Sequence, residues 1–331
     1  MWRAQTRPRV HHQLNLQTMT PQTKDLHGFF IPLKFNVMPK PDKKEDRFFH
    51  LLSLGSFYLE FYCNGTRTSC GTGFFVRSDV GAVLVTNRHN VTGRNNYTNK
   101  PLHKLAAIPD SAVIFLPTAI GRVEYQFDLY LDDADTVPAW TENPTLGSRA
   151  DVVALLICEI ERNNALKEDS VFNLPDKNWH RSEVGSRVNV IGFPFGAVCD
   201  IFPVWSSGYI ASEPDFNFAD LPVFLVDCRS RPGQSGSPVV ARFVPGDTVL
   251  HNGELFQAKK ETTMLLGVYS GRINGKSDLG MVWKPHVIAE TVKEAGLTGT
   301  QMRMDSRRHK YEVLPPKSYS LTGSGESPEL A

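Results

Sequence analysis

The chain has no long hydrophobic run, no surplus of charge of either sign and few cysteines, and each shortage removes a class of protein. No apolar stretch approaches the roughly 20 residues of a membrane span. A net charge of +1 gives no general attraction to nucleic acid or to acidic lipid. Neither nucleic acid nor a membrane is therefore expected as a partner. The N-terminal segment lacks the apolar core of a secretory signal, so a cytoplasmic location is expected, and the Asn-X-Thr triplets at Asn64, Asn90 and Asn96 read as chance matches. The five cysteines, Cys63, Cys70, Cys158, Cys199 and Cys228, are an odd and scattered set. They have no paired Cys/His spacing of a zinc site, so no metal and no cofactor is expected. Cys158 and Cys228 lie in apolar runs and read as small buried hydrophobes. Cys63 and Cys70 flank a loop and would bridge only in an oxidising compartment.

Helical periodicity is also scarce. Residues 1–47 form a Gln/Thr-rich arm with Arg3, Arg7 and Arg9 ahead of the first acid, Asp25, and end in a solvated Pro/Lys linker. From about Phe48 the texture changes to short β-rich runs, at 54–62, 73–77, 82–86, 111–117, 123–131, 151–157, 187–191, 204–211, 222–228, 238–243 and 264–270. The runs at 73–77 and 82–86 meet across Ser78-Asp79-Val80-Gly81 as a hairpin. No ten-residue helical pattern separates the strands, which excludes a parallel α/β sheet. One helix is expected, from Pro285 through Ala295 with Gly296 as its stop, and residues 298–331 read as a flexible tail. The expected fold is all-β, as paired antiparallel barrels or a sandwich, with a C-terminal helix.

The chemistry concentrates in Arg231-Pro232-Gly233-Gln234-Ser235-Gly236-Ser237-Pro238, set between two strand-like runs. Gly233 and Gly236 allow backbone angles that turn N–H groups towards one point beside Ser235, as an oxyanion requires. A serine hydroxyl attacks a carbonyl at neutral pH only with a base to take its proton. Of ten histidines, His89 alone follows a strand directly, in Thr86-Asn87-Arg88-His89-Asn90-Val91. Its ring needs an acceptor on the other nitrogen. Asp151 opens the apolar run 151–157, where an unpaired carboxylate would be costly.

The order His89, Asp151, Ser235, with Gly-Thr-Gly-Phe-Phe-Val before the histidine turn and Gly-Gln-Ser-Gly-Ser-Pro at the serine, resembles the chymotrypsin-like serine proteases. Within them it is most similar to stand-alone bacterial trypsin-like peptidases related to the HtrA catalytic domain. The resemblance covers residues 48–297 and implies two antiparallel six-stranded β-barrels. It also implies Ser235 as nucleophile, His89 as base and acid, Asp151 as orienting carboxylate, and the Gly233 and Ser235 N–H groups as oxyanion hole. An α/β-hydrolase is excluded, because its nucleophile elbow wants glycine where Ser237 stands and its triad order ends in histidine.

The resemblance further assigns substrate contacts to Arg229, Ser230, Tyr269, Ser270 and Gly271. Arg229 falls at the base of the primary pocket, where it would pair with a substrate carboxylate or turn outwards. The second is favoured, since a buried unpaired guanidinium is costly, and it leaves Ser230 and Tyr269 lining a pocket for a small or apolar side chain. Digestive members carry aspartate where Gln234 stands, so activation through a freshly cut N-terminus is not expected. No PDZ module is expected in the residues after 297. The expected activity is serine endopeptidase on protein or peptide substrates, with an activating protein partner left open. The competing reading is a catalytically silent protease fold used for binding.

Overall fold

The computed structural model describes residues 49–305 apart from 119–120, 133, 135, 158–165, 167, 176–181, 197–201 and 252–253. The expected arm, Cys158, Cys199 and residues 306–331 lie outside the described residues.

In the N-terminal half, β1 (Phe57–Cys63) and β2 (Thr66–Ser78) pair antiparallel, and β2 turns into β3 (Gly81–Thr86) with Ser78 opposite Gly81, the hairpin read from the sequence. With β4 (Ser111–Thr118), β5 (Gly121–Asp128), β6 (Thr141–Glu142) and β7 (Val153–Leu155) they order as β5-β4-β1-β2-β3-β7-β6, and β8 (Val171–Phe172) adds to β2 in parallel. Among the described residues this half forms an eight-stranded sheet. In the C-terminal half, β9 (Arg187–Gly192), β10 (Val204–Ile210), β11 (Val223–Asp227), β12 (Pro238–Phe243), β15 (Thr262–Arg272) and β16 (Leu279–Trp283) do close a barrel, with a β13 (Thr248–His251)–β14 (Glu254–Gln257) hairpin beside it. The fold is all-β, finished by a C-terminal helix.

Two apolar clusters fill the separate halves, one around Phe57, Phe61 and Phe75, the other around Phe224, Val239 and Tyr269. A third joins them, with Phe74, Val76, Val83 and Val85 from the sheet against Val223, Val240, Val268 and Trp283 from the barrel. Alternation explains the split: Phe75 and Leu84 face one core while their neighbours face the other.

The helix from Pro285 to Asp305, α2, overruns the expected stop at Gly296. Glycine inside a helix costs only about 1 kcal/mol relative to alanine, too little to end one whose face is already anchored. The anchor is Val287, Ile288, Thr291, Val292 and Ala295, all buried, with the Asn143 amide donating to the Val287 carbonyl at 3.3 Å.

Trp283 is fully buried in the shared cluster, and its indole N–H has no acceptor among the described residues. Trp283→Ala is expected to destabilise the protein by about 3–5 kcal/mol. Trp283→Phe should cost much less, since it removes an unpaired buried donor along with part of the ring. Denaturant unfolding of the two variants measures the difference.

Candidate active site

The site lies where the hairpin end of the sheet meets the loop that carries Ser235. β3 ends at Thr86, and a five-residue helix, α1 (Arg88–Thr92), follows at once; it closes on Gly93 at φ 61°, whose N–H donates to the His89 carbonyl. Asn87, at its start, donates its side-chain amide to the Asp151 carbonyl at 2.7 Å. The helix and the mouth of β7 are thereby pinned together.

Asp151 is 2% exposed and its carboxylate is fully engaged. Oδ1 accepts the His89 backbone N–H at 2.9 Å, and Oδ2 lies 2.6 Å from His89 Nδ1 and accepts the Ser270 hydroxyl at 2.5 Å. Burial pushes the carboxyl's pKa up, but His89 beside it and the hydrogen bonds from His89 and Ser270 outweigh that and hold it below the ordinary range. The ring nitrogen facing Asp151 is the one placed to donate to the carboxylate.

Ser235 reaches the same cluster from the other side. Its carbonyl accepts from the Thr72 N–H at 2.8 Å and from the Asn90 amide at 3.2 Å, Asn90 being the neighbour of His89. Its hydroxyl contacts the Ser270 carbonyl at 3.5 Å, so Ser270 touches Asp151 through its side chain and Ser235 through its backbone. No hydrogen bond joins Ser235 Oγ to the His89 ring in this state. Such bonds are often long in a protease without substrate.

The loop ahead of Ser235 has a defined orientation. The Pro232 carbonyl accepts the Phe195 N–H at 2.6 Å, and across a trans peptide this sends the Gly233 N–H the opposite way. Neither the Gly233 nor the Ser235 N–H finds an acceptor among the described residues, so two donors are free on one loop. Gly233 sits at φ 95°, and a Cβ there would lie 2.4 Å from the Phe193 carbonyl oxygen. Gly236 at φ 87° would bring one to 2.0 Å from the Thr72 oxygen. Only glycine fits either place.

Gln234, which the sequence marks only as a departure, is completely buried. Its Oε1 accepts the Arg231 N–H and its Nε2 donates to Ser206 Oγ, both at 2.8 Å. Asn90, Thr72 and Ser270 as a partner of Asp151 are likewise positioning residues that sequence reasoning missed. The signal was thin, since polar side chains acquire these duties only through folding. Of the expected substrate contacts, Arg229 is exposed. Ser230 is buried and hydrogen-bonded to the Tyr269 hydroxyl, and the Ser270 carbonyl lies 3.5 Å from the Ser235 hydroxyl. Cys63, Cys70 and Cys228 are free thiols.

The profile of the trypsin-like peptidase domain matches residues 71–242, and the chain belongs to that family. Among solved structures it is similar to the active form of the protease Rv3671c from M. tuberculosis, with 15% identity, 74% of this chain and 82% of that one covered, and a TM-score of 0.42. An inactive form of the same protease gives 16% identity, 74% and 90% coverage and 0.40. The serine endoprotease from Yersinia pestis gives 12%, 75% and 65%, and 0.43. Likeness at this level carries no argument about the site. A search of curated proteins finds no match.

The Asp151 carboxyl makes a pH prediction. Its folded pKa lies below its unfolded one, so its contribution to stability is present above the ordinary carboxylate value of about 3.9 and is lost as pH falls through the folded value. Thermal melts from pH 7 to pH 2 should therefore show a steeper loss below about pH 4 in the wild type than in Asp151→Asn. Parallel curves would contradict the assignment.

Proposed function

We propose that this protein is a serine endopeptidase, with Ser235 as nucleophile, His89 as general base and acid, and Asp151 as the group that orients and stabilises the ring. One observation carries the reading. A buried, ionised carboxylate grips the backbone and Nδ1 of His89, and the same Ser270 that completes its shell borders the Ser235 hydroxyl. Structural carboxylates seldom hold a partly buried histidine in this way next to a glycine-framed serine.

His89 Nε2 takes the proton of Ser235 Oγ as the oxygen attacks the scissile carbonyl carbon. Charge moves to the carbonyl oxygen, and the Gly233 and Ser235 N–H groups bind it; a single such donor is worth roughly 100–1,000-fold in rate. His89 then gives its proton to the departing amine as the C–N bond breaks, leaving an ester on Ser235. Water repeats the sequence, its proton passing to His89 and back to Ser235 as the acid is released. Gln234 stands in for an activating ion pair: neutral amide bonds to Arg231 and Ser206 brace the loop from inside. No cleavage is needed to set it. Protein or peptide segments are the substrates, added along the free edge of β15 at 270–272 beyond its last pairing with β12, Pro238 opposite Val268.

A fluorophosphonate probe should label the wild type and leave folded Ser235→Ala unlabelled. Peptide hydrolysis should fall by at least about three orders of magnitude in Ser235→Ala or His89→Ala. Absence of labelling in folded wild type would instead favour the silent binding module. Gln234→Ala should retain the His89–Asp151 pair but lose about 10–100-fold in kcat, because the oxyanion loop loses its internal brace. An unchanged kcat there would remove Gln234 from the mechanism.

A further inference from the structure

Three segments converge beside Ser235: the loop carrying Ser230, strand β15 and strand β16. The space between them is occupied by Tyr269. Its backbone is fixed to the nucleophile loop, accepting from the Gly236 N–H and donating to the Ser237 carbonyl, both at 2.9 Å. Its side chain is 1% exposed and ends on Ser230 Oγ, itself 1% exposed. The ring lies flush on Gly280 of β16, where a Cβ would stand 2.3 Å from Tyr269 Cε2. Burial pushes the phenol up to about 12, so it stays neutral and hydrogen-bonded at working pH. A substrate side chain next to the scissile bond meets a filled wall there.

Further along the same strand the surface opens. Just past Ser270, Arg272 and Ile273 border a cavity of about 660 Å³, closed by Tyr97, Phe218, Leu221 and Met281. That is the size of a site for a large side chain or several small ones. Tyr97 belongs to the segment after α1, and its hydroxyl donates to Met281 Sδ at 3.2 Å. The opposite wall is a turn with Ala219 at φ 52° and Asp220 at φ 59°. It is held by the buried Lys284, whose Nζ donates to the Phe216 carbonyl at 2.8 Å and to Asn217 Oδ1 at 2.9 Å. Two walls are thus fixed by specific bonds, and both expose apolar groups to the groove.

Resting on the peptidase reading above, we infer that selectivity is displaced from the residue at the cut to this groove: the protein cleaves after a small residue and chooses its substrate by a bulky apolar side chain two to four positions upstream. The groove supplies apolar area, while Tyr269 excludes anything large at the cut itself.

Peptidyl phosphonates that modify the nucleophilic serine test this directly, with alanine, phenylalanine or lysine at the cut and alanine or leucine upstream. The alanine probe should react at least about ten-fold faster than the phenylalanine and lysine probes, and upstream leucine should add about another ten-fold. Leu221→Asp should remove the gain from upstream leucine. Tyr269→Ala, if it folds, should raise reactivity with phenylalanine at the cut; the Leu221 variant and the wild-type profile decide the matter if it does not. Fastest reaction with phenylalanine or lysine at the cut, or indifference to the upstream residue, would overturn the inference and leave the peptidase reading standing. So would failure of every peptidyl probe on protein that the bare fluorophosphonate labels. Failure of the bare probe as well would sink both.

Discussion

Everything at the site hangs on Thr72, a fully buried residue in the middle of β2. Its N–H donates to the Ser235 carbonyl and its hydroxyl to the Gly233 carbonyl, both at 2.8 Å. The same hydroxyl accepts the Phe193 N–H at 3.2 Å, and its own carbonyl accepts from Thr86 Oγ1 at 2.7 Å. One side chain and one peptide thus tie the sheet to the nucleophile loop, to the end of β9 and to the strand that delivers His89. Each bond contributes only about 1 kcal/mol to stability, but leaving any of these buried groups unpaired would cost more than making the bond gains. The arrangement is therefore all-or-none. The two halves meet in one register, and that register sets Ser235 against His89.

So close a seam explains the glycines around it. A Cβ on Gly236 would strike the Thr72 oxygen, and one on Gly192 would lie 1.9 Å from Ser237 Oγ. These positions are small because another strand or loop passes through the volume a side chain would use. Gly280 plays the same part for the Tyr269 ring. Glycine here is spent on proximity, and the positive φ at Gly233 and Gly236 adds the turn that exposes two N–H groups.

That logic also marks what could be read from the sequence. The hairpin, most strands, and the histidine, aspartate and serine carry strong local signals: alternation, a turn of the right length, a carboxylate out of place in an apolar run. β16 escaped because Gly280 breaks its pattern, and its reason for being glycine lies eleven residues back in sequence, in the ring of Tyr269. α1 is only five residues long and is set by the tie between Asn87 and the Asp151 backbone, which no periodicity reports. The helix stop at Gly296 failed for the converse reason: packing against the sheet outweighs a local propensity. Arg229 is exposed, the orientation its charge favours, while its neighbour Ser230 is buried against the Tyr269 hydroxyl.

Gln234 and Tyr269 together suggest how such a site is controlled. In a protease that matures by cleavage, a buried charge at the place of Gln234 waits for a partner, and the loop is set only when the partner arrives. A buried amide has no such dependence; Arg231 and Ser206 satisfy it within the same half of the molecule. On the proposed reading the loop ahead of Ser235 waits for no such event, since its Pro232 carbonyl is already bonded to the Phe195 N–H. On the same reading restraint falls on access, which the buried Tyr269 limits: where the nearest pocket is filled, binding must come from contacts further along the chain of the substrate. Remote binding energy of that kind is well suited to raising turnover of the right sequence rather than affinity for every peptide.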